Sequence, residues 1–472
     1  MSSITDLNDG RAVYFDGALV NVAEVPIFQK TLAVVNTYYD LQRTNPKLHT
    51  YQEDGQTFAT AFMTPRSVTD LQKKRAVYTE IAQASYGMLG RTPDFIASGL
   101  AVLSAKAGFL GKNKYTDFAA NAKHYAERVK KGDIFVSHAL QNPQLDRSKA
   151  LNAIPKGYAG VHTVDHDEKG IYVSGAKMVN TLAPIADELL VFNPPELLLD
   201  AGDTSYGLAF AAPLNLSGAK IVCRKPLNHP GYSENDYPLS NAFDEIDAYI
   251  LFEHAFIPWT DVFVYNDYAM SNRFFVESGM FIHTAHQDEV RGVTKLEFVT
   301  SLAIRVAKAL GLADYLGVAE QLGELTSNLE LIKGTIVNSE LNGQLDEQGI
   351  FAPSEQALTA VRDSLPKMYE KALQVIQHLA AGSMVAVPDF REFSGNNATI
   401  LRQAYTSEKI GAEDRAKLLN LAFDVSSAAF GQRQLMYEYY HGGDPKRIRA
   451  NHFRHEDLTA GTAMLERILK LK

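Results

Sequence analysis

Two stretches of the chain hold side chains whose types and spacing suit chemistry. In SHALQNPQLDR, from Ser137 to Arg147, a histidine, several amides, a proline and an acid–base pair follow directly on the apolar run Ile134-Phe135-Val136. The proline forces extended or turning backbone. His138 then sits at a strand's end, where an imidazole can accept or steady a proton. So many polar groups at the end of a buried strand need partners, and a bound molecule would supply part of them. In Arg91-Thr-Pro-Asp-Phe95, which follows Gly87-Met-Leu-Gly90, an arginine heads a helix with Pro93 in its first turn. In a pocket it is a permanent cation able to hold a phenolate or peroxide oxygen. Each stretch has a plainer reading too: a turn with Asp146 and Arg147 paired and His138 partly exposed, and an arginine on the surface.

Other constellations are weaker. His283 and His286, and His452 and His455, are three apart and could share a helix face as metal ligands do. Neither pair has a carboxylate in a zinc-enzyme order such as HExxH, so they read as solvated or helix-terminal histidines. Asp389, Arg391 and Glu392 in VPDFREF read as loop salt-bridge partners. Tyr437, Tyr439 and Tyr440, before His441-Gly-Gly-Asp444, read as packing at the end of a helix with a glycine stop.

The elements that must position these residues fall into three textures. From about Val25 to Lys130 apolar residues recur at helical spacing, as in Val68, Leu71, Val77, Ile81 and Ala82. From Asp133 to about Val264 short β-rich runs take over, Ile134-Phe-Val, Ile171-Tyr-Val, Leu189-Leu-Val-Phe and Lys220-Ile-Val-Cys, which predict an antiparallel β domain. Beyond Asn266 helical stripes return, at Val299, Leu302, Ala303, Val306 and Leu310, through Leu358–Leu379, and through Ala416–Tyr440. The expectation is an α+β, mostly α chain with a helical part over 1–132, a β part over 133–265, and a helical bundle and tail over 266–472.

Composition bounds the function. The 472 residues are 46% hydrophobic and 21% charged, enough for a sizeable core. One cysteine, Cys223, excludes a disulfide framework and a multi-thiolate cluster. A net charge of −9 with scattered basic residues argues against nucleic acid. With neither a secretory signal nor an apolar run near the roughly 20 residues a bilayer needs, the expected setting is the cytoplasm, with no membrane partner. No GxGxxG unit and no GxxxxGK[ST] loop occurs, so a nucleotide cofactor would bind in another way.

DGRAVYFDGALVNV near the start, GRTPDF at Gly90–Phe95, SHALQNPQLDR, FDEIDAYILFEHAFIPWTDVF from Phe243 and YYHGGDP near the end occur in order over nearly the whole chain. Together they resemble the 4-hydroxyphenylacetate 3-hydroxylase family, oxygenase components of two-component flavin monooxygenases. The resemblance implies an acyl-CoA dehydrogenase-like fold: an N-terminal helical domain, a central antiparallel β-barrel and a C-terminal four-helix bundle that tetramerises. It implies reduced FAD delivered by a separate reductase, molecular oxygen as co-substrate, and hydroxylation of a phenol beside its hydroxyl through a flavin hydroperoxide.

By the same resemblance His138 steadies the phenolic proton and Arg91 holds the phenolate or peroxide oxygen. FAD would run along His138, Ala139, Leu140, Gln144, Leu145, Asp146 and Arg147, with Thr181 nearby and Gly442, Gly443 and Asp444 closing over it. The metal set is empty. Phe95 stands where the family's hydroxyphenylacetate enzymes carry a tyrosine, so a substrate-binding hydroxyl is missing and another phenol is as consistent as 4-hydroxyphenylacetate. Two other readings stay open: an acyl-CoA dehydrogenase-like flavin oxidoreductase, and a flavin-binding tetramer without hydroxylase activity. A radical dehydratase of similar fold needs an iron–sulfur cluster that one cysteine cannot hold.

Overall fold

The computed structural model describes residues 7–146, 148–154 and 159–470. The β-rich runs form two open sheets. The larger takes strands β1 (Val13–Phe15), β2 (Ala18–Val20), β4 (His162–His166), β5 (Gly170–Thr181), β8 (Ala219–Cys223) and β9 (Asp247–Pro258) in the order β2-β1-β8-β9-β5-β4. The smaller takes β3 (Val136–Ala139), β6 (Glu188–Val191), β7 (Ala209–Pro213) and β10 (Val262–Val264) in the order β10-β7-β6-β3. This corrects the expected antiparallel barrel. Neither sheet closes, and the pairs β1–β8 and β3–β6 are parallel. The first pair arises because the N-terminal hairpin folds back onto the sheet edge, a long-range pairing that local periodicity does not carry.

Helices flank the sheets. On the N-terminal side α1 (Val68–Gln83), α2 (Pro93–Lys106) and α3 (Phe118–Gly132) are the longest. Pro93 stands in the first turn of α2, where its missing N–H costs nothing, and Pro93 through Leu103 are all buried. On the C-terminal side α4 (Met280–Ala309), α5 (Leu316–Leu341), α6 (Glu355–Val385) and α7 (Ala412–Ser426) pack as a four-helix bundle. The Val299–Val306 stripe faces the core.

The predicted stripe Ala416–Tyr440 is two helices, α7 and α8 (Ala429–Tyr440). At their junction a Cβ on Gly431 would lie 2.2 Å from the Val425 carbonyl oxygen, so the second helix starts tight against the first. A further helix, α9 (Pro445–His455), follows the HGGDP turn.

Candidate active site

The site gathers where the end of β3, the head of α2, the middle of α4 and the end of α8 converge. The loop Gly87–Gly90 brings Arg91 there. Gly87 has a left-handed backbone, φ +75, and a Cβ on it would lie 2.6 Å from the Lys295 backbone nitrogen on α4. A Cβ on Gly90 would lie 2.0 Å from the Tyr437 hydroxyl on α8. The backbone N–H groups of Gly90 and Arg91 both donate to Glu245, fixing the loop from the sheet side.

Arg91 is 7% exposed, and its guanidinium carbon lies 4.0 Å from the centre of the Phe95 ring, one helical turn on. Nη1 donates to the Tyr437 hydroxyl and to the Gly90 carbonyl at 3.2 Å, and lies 3.3 Å from Asp288 Oδ1. The Phe95 ring is 5.2 Å from the His138 imidazole, tilted by 44°. Arg91 and Phe95, four residues apart, thus stand together with His138 from a distant part of the sequence.

His138 is buried at 8% exposed, and its Nδ1 takes no partner among the described residues. Burial first, and the nearby Arg91 charge second, push its pKa down to about 3. It is therefore a neutral imidazole with an open ring nitrogen. Four residues on, Asn142 has both its amide oxygen and its amide nitrogen buried with no partner among the described residues. Unpaired buried polar atoms are costly. Their clustering in SHALQNPQLDR is what a polar ligand along this segment would satisfy, so these residues fit a flavin.

The remaining predicted residues are placed as follows. Ala139 is buried, and its carbonyl accepts from Phe192 N–H at 3.1 Å. The Leu140 carbonyl accepts from Lys177 Nζ at 2.9 Å, and that ammonium also reaches the Phe192 carbonyl and Asn193 Oδ1, tying the ends of β3 and β6 together. Burial with no carboxylate in that set draws Lys177 down to about 7. Gln144 and Leu145 are exposed, and Asp146 binds Ser148 and Lys149; Arg147 lies outside the described residues. Thr181 donates its hydroxyl to Asp247 at 2.9 Å, and its carbonyl accepts from Ser137. A Cβ on Gly442 would lie 2.6 Å from Arg362 Cδ, and Gly443 has a left-handed backbone, φ +109, with the Glu196 carboxylate beside it. Asp444 caps α9 by accepting from Lys446 N–H.

Sequence reading missed the charged floor of this site. Asp288 lies within 3.3 Å of Arg91, 3.0 Å of Arg291 and 2.9 Å of His441. Burial alone would raise its carboxyl, but His441, Arg91 and Arg291 hold it well below the usual range. Beneath it Glu438 takes Arg291 at 2.5 Å and Lys295 at 2.7 Å.

The signal was present: Asp288, Arg291 and Lys295, spaced by three and four residues, put charges of both signs on one face of a helix. His283 and His286 lie on the same helix, buried rather than solvated, with His286 bonded to Glu340 at 3.0 Å. No metal-ligating group of three side chains occurs among the described residues. His452 and His455 are helix-terminal, and Asp389 pairs with Arg391, as expected.

Sequence models of the 4-hydroxyphenylacetate 3-hydroxylase N-terminal and C-terminal regions match residues 3–264 and 271–470. A 4-hydroxyphenylacetate 3-monooxygenase oxygenase component of Geobacillus sp. (strain PA-9) is 32% identical over 94% of this chain and 90% of its own length. The crystal structure of the oxygenase component of 4-hydroxyphenylacetate 3-monooxygenase complexed with FAD and 4-hydroxyphenylacetate aligns with a TM-score of 0.92 at 28% identity, over 100% of this chain and 98% of that one. A glutaryl-coenzyme A dehydrogenase, 12% identical, shares the fold alone, with a TM-score of 0.53 over 90% of this chain and 93% of that one. With both regional models covering nearly its whole length and the motif residues gathered at one site, this chain belongs to the 4-hydroxyphenylacetate 3-hydroxylase family.

Proposed function

We propose that the protein is the oxygenase component of a two-component monooxygenase, using reduced FAD and molecular oxygen to hydroxylate 4-hydroxyphenylacetate or a related phenol beside its hydroxyl. The observation that carries the reading is Arg91 over the Phe95 ring with the neutral His138, whose Nδ1 has no partner among the described residues, 5.2 Å from the same ring, in a chain of this family.

FAD, when bound, supplies the two-electron activation of oxygen. The residues that would hold it are His138, Ala139, Leu140, Gln144, Leu145, Asp146, Arg147 and Thr181, with Gly442, Gly443 and Asp444 beside them. The protein's own contribution is binding and charge. Attack at the ring carbon next to a phenol is helped when the phenol is ionised. His138, neutral at pH 7, accepts the hydrogen bond of the phenolic proton, and Arg91 balances the charge left on oxygen. Burial of both side chains keeps water from competing for them. Asp288 is flanked by Arg91, Arg291 and His441, which speaks against the free carboxylate base a dehydrogenation needs.

Phe95 supports a substrate whose hydroxyl is held by two groups rather than three. A relative described as an oxygenase component supports a separate reductase as partner. Exposed apolar side chains, Leu316 and Leu331 on α5 and Ile468 near the C-terminus, support a homotetramer. Among the described residues no helix is long and apolar enough to cross a membrane, which agrees with a cytoplasmic setting. We read the chain as three units, 1–132, 133–265 and 266–472, the first lending β1 and β2 to the second.

The test is a panel of phenols incubated with the protein, reduced FAD and oxygen. The expected result is conversion of at least one to its catechol. Consumption of oxygen into hydrogen peroxide alone, across the whole panel, would reject the reading.

A further inference from the structure

Tyr437 looked like packing in the sequence, yet its hydroxyl stands between the Arg91 guanidinium and the Asp288 carboxylate. We propose that Tyr437 is a positioning residue that keeps the Arg91 guanidinium off Asp288 and so leaves its positive charge available to ionise the bound phenol. The proposal rests on the hydroxylase reading of the Arg91–Phe95–His138 pocket.

The Tyr437 hydroxyl accepts from Arg91 Nη1 and donates to Asp288 Oδ1 at 3.3 Å. The direct Arg91–Asp288 approach is also 3.3 Å, longer than the roughly 2.7–2.9 Å of a charge-assisted bond. The phenol is a neutral spacer between a cation and an anion that would otherwise close on each other. On the opposite side, Arg91 Nε and Nη2 make no hydrogen bond to a described residue, so that edge of the guanidinium is left for a ligand.

The spacer is held rigidly. The Tyr437 ring stacks on His441 at 4.7 Å with 6° between planes, and the guanidinium carbons of Arg291 and Arg433 lie 5.0 Å and 5.1 Å from its centre. Gly90 exists as glycine because a Cβ would meet this hydroxyl. Burial keeps the hydroxyl protonated far above neutral pH, outweighing the surrounding cations.

Every element packed on the spot contributes charge. From α4 come Asp288, Arg291 and Lys295; from α8 and its end come Arg433, Glu438 and His441; Glu245 stands before β9, and His138 ends β3. Arg291 and Lys295 answer to Glu438, and Arg433 to Glu245 and Asp247. Asp288 is left between Arg91, Arg291 and His441. Removing the spacer hydroxyl lets Arg91 take a larger share of that carboxylate, which weakens its hold on a phenolate.

The experiment uses the full chain with reduced FAD, without oxygen, and 4-nitrophenol as the probe, whose phenolate absorbs in the visible. A pH titration reads the ionisation of the bound probe directly. Tyr437→Phe is expected to raise its apparent pKa by about one pH unit, and Asp288→Asn, which frees Arg91, to lower it. In an Arg91→Ala background Tyr437→Phe should change nothing, because the hydroxyl acts through Arg91. Circular dichroism of each variant separates this from misfolding, and Asp288→Asn carries the test should Tyr437→Phe not fold. An unchanged bound-probe pKa in the folded variants, or an equal shift with and without Arg91, overturns the proposal. A wild-type protein that leaves the probe's spectrum as in buffer would overturn the proposal, because Arg91 would then not lower the pKa of a bound phenol, while the phenol panel above decides the hydroxylase reading separately.

Discussion

On the proposed reading, a neutral histidine next to a permanent cation divides the work on a phenol between two residues, and substitutions in this pocket test the division. His138→Ala removes the open imidazole nitrogen while leaving β3 paired to β6 through its backbone. Product formation should fall by about 10²–10⁴-fold with an unchanged circular dichroism spectrum; catechol yield per unit of reduced FAD checks this. Phe95 invites the reverse change. Phe95→Tyr would put a hydroxyl on the ring that both Arg91 and His138 approach. One added hydrogen bond, about 0.5–1.5 kcal/mol, should lower the KM for 4-hydroxyphenylacetate roughly 2- to 10-fold. An unchanged KM would mean that the substrate's hydroxyl does not reach this ring. The two motif residues and Phe95 were legible because short motifs carry their own spacing. The spacing of Asp288 and Arg291 was visible, but that Tyr437 and His441 join them was not, because those contacts cross to Arg91 and Asp288 more than 140 residues away.

At the scale of elements, the loop before α2 is fixed to α4 at one glycine. Gly87→Ala meets both a left-handed backbone and the Lys295 backbone nitrogen, so it should cost about 1–3 kcal/mol. It should also displace Arg91, lowering turnover more than the loss of stability explains; urea unfolding alongside kinetics separates the two. The same scale shows what periodicity can and cannot carry. The runs Ile171-Tyr-Val, Leu189-Leu-Val and Lys220-Ile-Val-Cys lie in strands, Ile134-Phe-Val only reaches one at Val136, and the stripes at Val299–Val306 and Leu358–Leu379 are helices. The barrel was wrong because closure depends on which strands meet at the edges. The break between α7 and α8 was missed because apolar spacing continues across it, and only the close approach of Gly431 to Val425 reveals it.

Across the whole molecule the buried charges set how stability responds to acid. His138 and His283 are kept neutral by burial, with pKa values below the usual 6.5. Below that pH the unfolded chain takes up protons that these folded histidines refuse, so stability falls as pH drops. Glu438 acts in the same direction lower down. Burial would raise it, but Arg291 and Lys295 hold it at about 2 against an ordinary 4.5, so its contribution fades as pH falls from 4.5 toward 2. Calorimetry should show the melting temperature declining from pH 6.5 downward; a flat value between 6.5 and 4.5 would contradict neutral buried histidines. The shared carboxylate at Asp288 has a consequence for the chain's divisibility. The N-terminal region supplies Arg91, while Asp288, Tyr437 and His441 all come from beyond residue 264. A gene split between the two regions would leave Arg91 without Asp288 in one fragment and Arg433 without Glu245 and Asp247 in the other, and hydroxylation should return only when both are produced together.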